Sequence, residues 1–123
     1  MNTSSLDKSN ENAREVAKTP WRVDLAKMKE QVVSVEYINP ESLPHGTIAM
    51  VILKNGYALQ GWSAPADPAN FNAERGKEFA YEDALRKLWP LEAYVMRDFM
   101  TGKISMTDEQ IESRWGENEP TLV

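Results

Sequence analysis

The feature that most constrains the fold is Asn55-Gly56, set between two runs rich in apolar residues. Asn-Gly is the strongest short hairpin signal, because a two-residue type I′ turn needs positive φ at both central positions. It predicts that Thr47-Ile48-Ala49-Met50-Val51-Ile52-Leu53 turns back on Tyr57-Ala58-Leu59-Gln60-Gly61-Trp62-Ser63 as an antiparallel pair. The first run is apolar at every position but one, as a central strand covered on both faces would be. Upstream, Val32-Val33-Ser34-Val35-Glu36-Tyr37-Ile38 is β-branched and aromatic and stops at Asn39-Pro40, giving a third strand and a meander.

Asp67-Pro68-Ala69-Asn70 is a turn leading into a helix over about 73–88, with Asn70 or Asn72 as its cap. Gly76, Ala80, Ala84 and Leu88 share one face with Ala73, so small residues let this helix lie close to the sheet. Glu74, Glu78, Glu82 and Arg86 stripe the other face. Pro90 lacks the N–H that helix continuation needs, which predicts a break or kink at Leu88-Trp89 and a second helix to about Met100, ended by Gly102. Thr107 with Gln110 has the spacing of a capping box and predicts a short helix to about Trp115. At the other end, a short helix follows Pro20 or Asp24, with Leu25, Met28 and Val32 as its apolar stripe.

These elements predict an α+β fold: a three-stranded antiparallel meander packed by a kinked helix pair, with short flanking helices. Residues 1–18 are polar and read as a flexible tail, residues 19–102 as one domain, and residues 103–123 as a short helix with a frayed C-terminus. There is no signal-peptide pattern and no apolar run of membrane-spanning length, so a cytoplasmic protein is expected.

The absence of cysteine excludes disulfides, thiolate nucleophiles and cysteine-ligated zinc, and one histidine, His45, excludes a multi-histidine metal site. The sequence calls for no cofactor and shows no catalytic signature. A net charge of -5 disfavours bulk nucleic acid, while leaving room for a local cationic patch.

Asn55-Gly56-Tyr57, Gly61, Ser63-Ala64, Asp67-Pro68-Ala69-Asn70-Phe71, Ala73-Glu74, Gly76, Ala80, Ala84 and Trp89-Pro90-Leu91-Glu92 resemble, in that order and spacing, the gene-49/gene-66 family of small bacteriophage proteins. The resemblance spans roughly residues 31–98 and implies a phage protein acting in bacterial cytoplasm. Four positions depart from the family pattern: Trp62, where an acidic residue follows the glycine, Pro65, often Cys, Arg75, usually aliphatic, and Asp83, usually Asn. The meander-plus-helix plan also looks like that of the phage Thoeris anti-defence sponges, which sequester cyclic ADP-ribose-type signals.

A cyclic nucleotide ligand needs aromatic faces for its bases and cations or free N–H groups for its phosphates. Trp62, Asn70, Phe71, Arg75 and Lys77 supply these groups between the last strand and the first helical turns. Each also has a plainer role, in packing for the aromatics, capping for Asn70 and solvation for the two cations. The carboxylate stripe reads as solvated surface, Arg86, Lys87 and Arg97 as a solubilising set, and Trp89-Pro90-Leu91 as a lock on the core. Three readings follow: a non-enzymatic binder of a host nucleotide signal, working as a homo-oligomer; an inhibitor that docks on a host protein; and, least supported by the residues, a phosphodiesterase.

Overall fold

The computed structural model describes residues 4–116 of the chain, and the segment 117–123, expected to fray, lies outside them. The chain is α+β and divides into two compact units, Gln31–Leu88 and the flanking Met1–Glu30 with Trp89–Val123.

The first unit holds a three-stranded antiparallel sheet in the order β1 (Val32–Ile38), β2 (Thr47–Leu53), β3 (Ala58–Ser63). Its register places Tyr37, Ala49 and Gly61 in one row and Ile38, Ile48 and Trp62 in the next. Because side chains alternate, the first row and those two residues away face one side, and the second row faces the other. Thr47, Ala49, Val51 and Leu53 are buried, whereas Ile48, Met50 and Ile52 are half-exposed. The expectation of a central strand sealed on both faces is therefore corrected, since β2 is closed on one face and half-open on the other.

The hairpin is also not type I′. No non-glycine residue has positive φ among the described residues, so within the hairpin only Gly56, at φ 86°, is left-handed. Gly56 N–H donates to the Leu53 carbonyl at 2.8 Å, and Leu53 N–H to the Tyr57 carbonyl at 3.0 Å. A turn over Lys54-Asn55 thus ends in a left-handed glycine, the three-residue loop with a glycine bulge. The Asn55 side chain accepts from Tyr57 N–H at 2.9 Å, which gives asparagine its role without requiring positive φ.

A 3-10 turn, Pro68–Asn70, capped by Asp67, leads to α3 (Ala73–Met100). Asn72 is its cap, accepting from Arg75 N–H at 3.0 Å. Within this unit the small-residue face of α3 does what its spacing predicts. A Cβ at Gly61 would strike the backbone carbonyl of Ala80 and come within 2.6 Å of Ala84 N, so the two backbones nearly touch.

The helix does not break at Trp89. It continues through Pro90 as one element of 28 residues, in place of the helix pair expected. Proline removes one backbone bond from the ladder, and the turns on either side of it keep theirs.

The second unit is helical: α1 (Ser5–Val16), α2 (Leu25–Glu30), the part of α3 from Trp89 onward, and α4 (Asp108–Trp115). Within the segment expected as a flexible tail, residues 1–18, the described part from Ser4 on carries α1, which Ser4 caps through Asp7 N–H. Leu6 is buried, and the Asn10 side chain accepts from Leu25 N–H at 3.0 Å. Composition alone missed this because the stabilising partners lie 14 to 15 residues away. Asp24 is consequently not the side-chain cap of α2. Its carboxylate instead takes Arg22 at 2.9 Å and Arg14 at 3.0 Å. The capping box of α4 forms as its spacing predicts.

Candidate functional site

Lys77 lies in the second turn of α3, on the sheet side near the outer strand β1. Its ammonium stands 5.7 Å from the centre of the Tyr37 ring, within cation–π range. Tyr81 follows Lys77 by four residues and therefore occupies the same helix face. The two phenols are close enough that ionisation of Tyr37 would oppose that of Tyr81. Burial raises both phenols above their ordinary range, so both are neutral O–H groups at physiological pH. Lys77 also pairs loosely with Glu74, at 3.9 Å.

Beside this cluster the helix approaches β2. A Cβ at Gly76 would fall 2.7 Å from Thr47 Oγ1 and 3.4 Å from the Phe71 ring. Thr47 is buried, and Asn39 Nδ2 donates to its hydroxyl at 3.1 Å and to the Gly46 carbonyl at 2.8 Å. The Gly76 contact and these hydrogen bonds fix the end of β1 against the start of α3. Close backbone approach at Gly76 and the buried Thr47 hydroxyl thus lie next to Lys77 in the fold.

Of the five residues expected to form a ligand site, Phe71 and Lys77 are brought to this place. Arg75 is exposed and pairs with Glu78 at 3.6 Å. Asn70 is exposed at the end of the 3-10 turn. Trp62 is 44% exposed, and its ring covers Gly46 on the sheet face away from α3. Alternation along β3 sets this apart: Gly61 points to the helix, so its neighbour cannot.

Sequence reasoning did not include Tyr37 and Tyr81 in the site. The signals were present, since Tyr81 stands four residues after Lys77, and Tyr37 shares the parity of Val35 on β1. What was missing was the pairing of β1 with the start of α3, which no local pattern carries. Glu82 also differs from its expected place on a solvated stripe: one carboxylate oxygen is buried and has no hydrogen-bond partner among the described residues.

Asp83 and Lys87 serve the sheet from α3. Trp62 N–H donates to Asp83 Oδ2 at 2.9 Å, Lys87 Nζ donates to the Gln60 carbonyl at 2.5 Å, and the two side chains lie 3.9 Å apart. They cap the free edge of β3. The Asp83 carboxylate is at once the acceptor for the Trp62 N–H and the counter-charge for Lys87.

An antiparallel meander crossed by a helix that carries an aromatic and cationic cluster makes this a small α+β domain. The chain belongs to the phage protein (N4 Gp49/phage Sf6 gene 66) family, whose model matches residues 23–100. No curated protein and no solved structure gives a significant match. Among the described residues no helix is long and apolar enough to cross a membrane.

Proposed function

We propose that this phage protein binds a host nucleotide immune signal, of the cyclic ADP-ribose or cyclic oligonucleotide type, and sequesters it without turnover. It acts in the host cytoplasm as a homo-oligomer. The observation that carries this reading is the Tyr37–Lys77–Tyr81 cluster at the start of α3. An ammonium held over an aromatic ring offers a phosphate its counter-charge, and neutral phenols donate hydrogen bonds while presenting a surface for a base. Phe71, beside Gly76, adds a further aromatic edge near the start of the helix. Family membership supplies the phage context, and kinship with the Thoeris sponges is part of the proposal.

Thermal unfolding with cyclic ADP-ribose isomers and cyclic dinucleotides provides the test. A ligand at about 100 times its Kd adds about 2.7 kcal/mol to stability, which shifts the midpoint by several degrees. Recovery of the added nucleotide unchanged after denaturing the complex is expected. No shift with any of these compounds removes the reading, and a converted product removes the absence of turnover.

A second reading, inhibition of a host protein, is favoured by one observation. The sheet face away from α3 carries Trp62 and Ile38, both exposed, in one row with Ile48. Exposed tryptophan in an apolar row is the composition of a binding hot spot. Trp62→Ala is the discriminating variant: it weakens capture of a host protein and leaves nucleotide binding unchanged.

A further inference from the structure

The two edges of the sheet are built differently. On β3, the outward N–H of Trp62 and the outward carbonyl of Gln60 are taken by Asp83 and Lys87. Because backbone groups alternate along an antiparallel strand, these contacts fix the direction of every other group. Ile48, Met50 and Ile52 must bond toward β1, where they meet Ile38, Glu36 and Ser34. Val35 and Tyr37 therefore direct their N–H and carbonyl groups away from the sheet, and no strand lies beyond β1 among the described residues.

β1 is only lightly guarded as an edge. It runs seven residues without lysine or proline, and its one irregularity, a bulge where the register shifts between Val32 and Ser34, lies at its first residues, where Val33 is 64% exposed, and leaves Val35 to Ile38 in regular register. We infer that the outer edge of β1 pairs with the same edge of a second copy of the chain, joining two meanders into one six-stranded sheet about a two-fold axis at Val35.

The occupant follows from the edges themselves. A chain with one open edge and one capped edge cannot extend in both directions, so pairing closes at two copies. Centred on Val35, an antiparallel pair sets Glu36 opposite the partner's Ser34 and brings Val33 beside the partner's Tyr37. The sole charge of β1 then meets a hydroxyl instead of its own like charge, and exposed valine meets an aromatic ring. A two-fold axis perpendicular to the sheet keeps both α3 helices on one side. The two Tyr37–Lys77 clusters then flank the joint. The interface rests on strand geometry and stands whether or not a nucleotide binds.

Sedimentation of the full chain, wild type against Val33→Lys with Ile38→Lys, tests this. Both positions are exposed, and circular dichroism checks that the fold is kept. The expected result is twice the chain mass for wild type and a single chain mass for the variant. A wild-type monomer, which would leave the edge to some other partner, overturns the inference, and so does a dimer that survives both lysines.

The register has its own test, because the chain has no cysteine of its own. Ser34 and Glu36 face each other across the joint as a non-hydrogen-bonded pair, with Cα atoms about 4.5 Å apart and within disulfide reach. Ser34→Cys with Glu36→Cys is expected to give a covalent dimer on oxidation, and either substitution alone is not. Equal cross-linking by the single variants, or none by the double, contradicts the pairing.

Discussion

Two glycines on the same sheet show how one added methyl group can have opposite consequences. At Gly61 a Cβ meets the backbone of α3 at Ala80 and Ala84, which can yield only if the helix moves. At Gly46 a Cβ meets the Trp62 ring, the far end of an exposed side chain that can swing aside. Gly61→Ala is expected to cost at least about 2 to 3 kcal/mol and Gly46→Ala less than about 1, measured by urea unfolding. Equal losses would contradict the close approach of helix and sheet. The phenols give a second expectation at this scale. Burial raises Tyr37 and Tyr81, so the folded chain holds their protons more tightly than the unfolded chain does. Their contribution to stability is complete below about pH 10 and is lost as pH rises through the raised values. An ultraviolet titration should show two of the four tyrosines ionising late, and unfolding should restore ordinary titration. Much at this scale is legible in the sequence: Gly76, Ala80 and Ala84 announce close helix packing by their spacing. Lys77 is visible as a candidate cation, but its aromatic partner Tyr37 lies 40 residues away and is brought there only by strand pairing.

At the scale of elements, α4 is held to α3 by a buried ion pair. Glu92 is 2% exposed, and Arg114 reaches both its oxygens at 2.8 to 3.0 Å. Removing one partner leaves a buried charge without compensation, whereas removing both leaves none. Arg114→Ala is expected to cost about 3 kcal/mol, and Glu92→Met with Arg114→Met substantially less; equal losses in thermal unfolding would contradict the role given to the pair. The aromatic run Trp21, Phe99, Trp115, with ring centres 5.8 and 6.1 Å apart, packs the same unit. The Asp24 carboxylate joins α1 to the start of α2. Burial alone would raise its pKa, and the hydrogen bonds and charges of Arg14 and Arg22 together outweigh that and hold it below the ordinary value. The stability it adds is therefore present above about pH 4 and is lost as pH falls through the lowered value. Arg14→Ala should flatten the acid limb of a stability–pH curve. Element type was readable from pattern: all three strands and the capping box of α4 lie where spacing puts them. α1 was not, because a polar segment reads as tail unless its distant partners Asp24 and Leu25 are known. The uninterrupted α3 was missed for a related reason, since proline weakens a helix locally while flanking turns and packing retain it.

At the scale of the molecule, the chain is an acidic phage protein with a cation, Lys77, set over an aromatic ring beside the sheet. The net charge is -5, and the Lys77 ammonium over the Tyr37 ring is the place where the proposed ligand's phosphate would find a counter-charge. Capping of one sheet edge by Asp83 and Lys87, together with the open backbone of β1, gives the molecule a direction for self-pairing. The most direct measurement is calorimetric titration of cyclic ADP-ribose isomers and cyclic dinucleotides into wild type and into Lys77→Ala. Binding to wild type is expected, with affinity reduced about 10- to 100-fold in the variant, as loss of a charge-assisted hydrogen bond implies. No heat with any of these nucleotides, or equal affinity in the two proteins, would contradict a ligand site at Lys77.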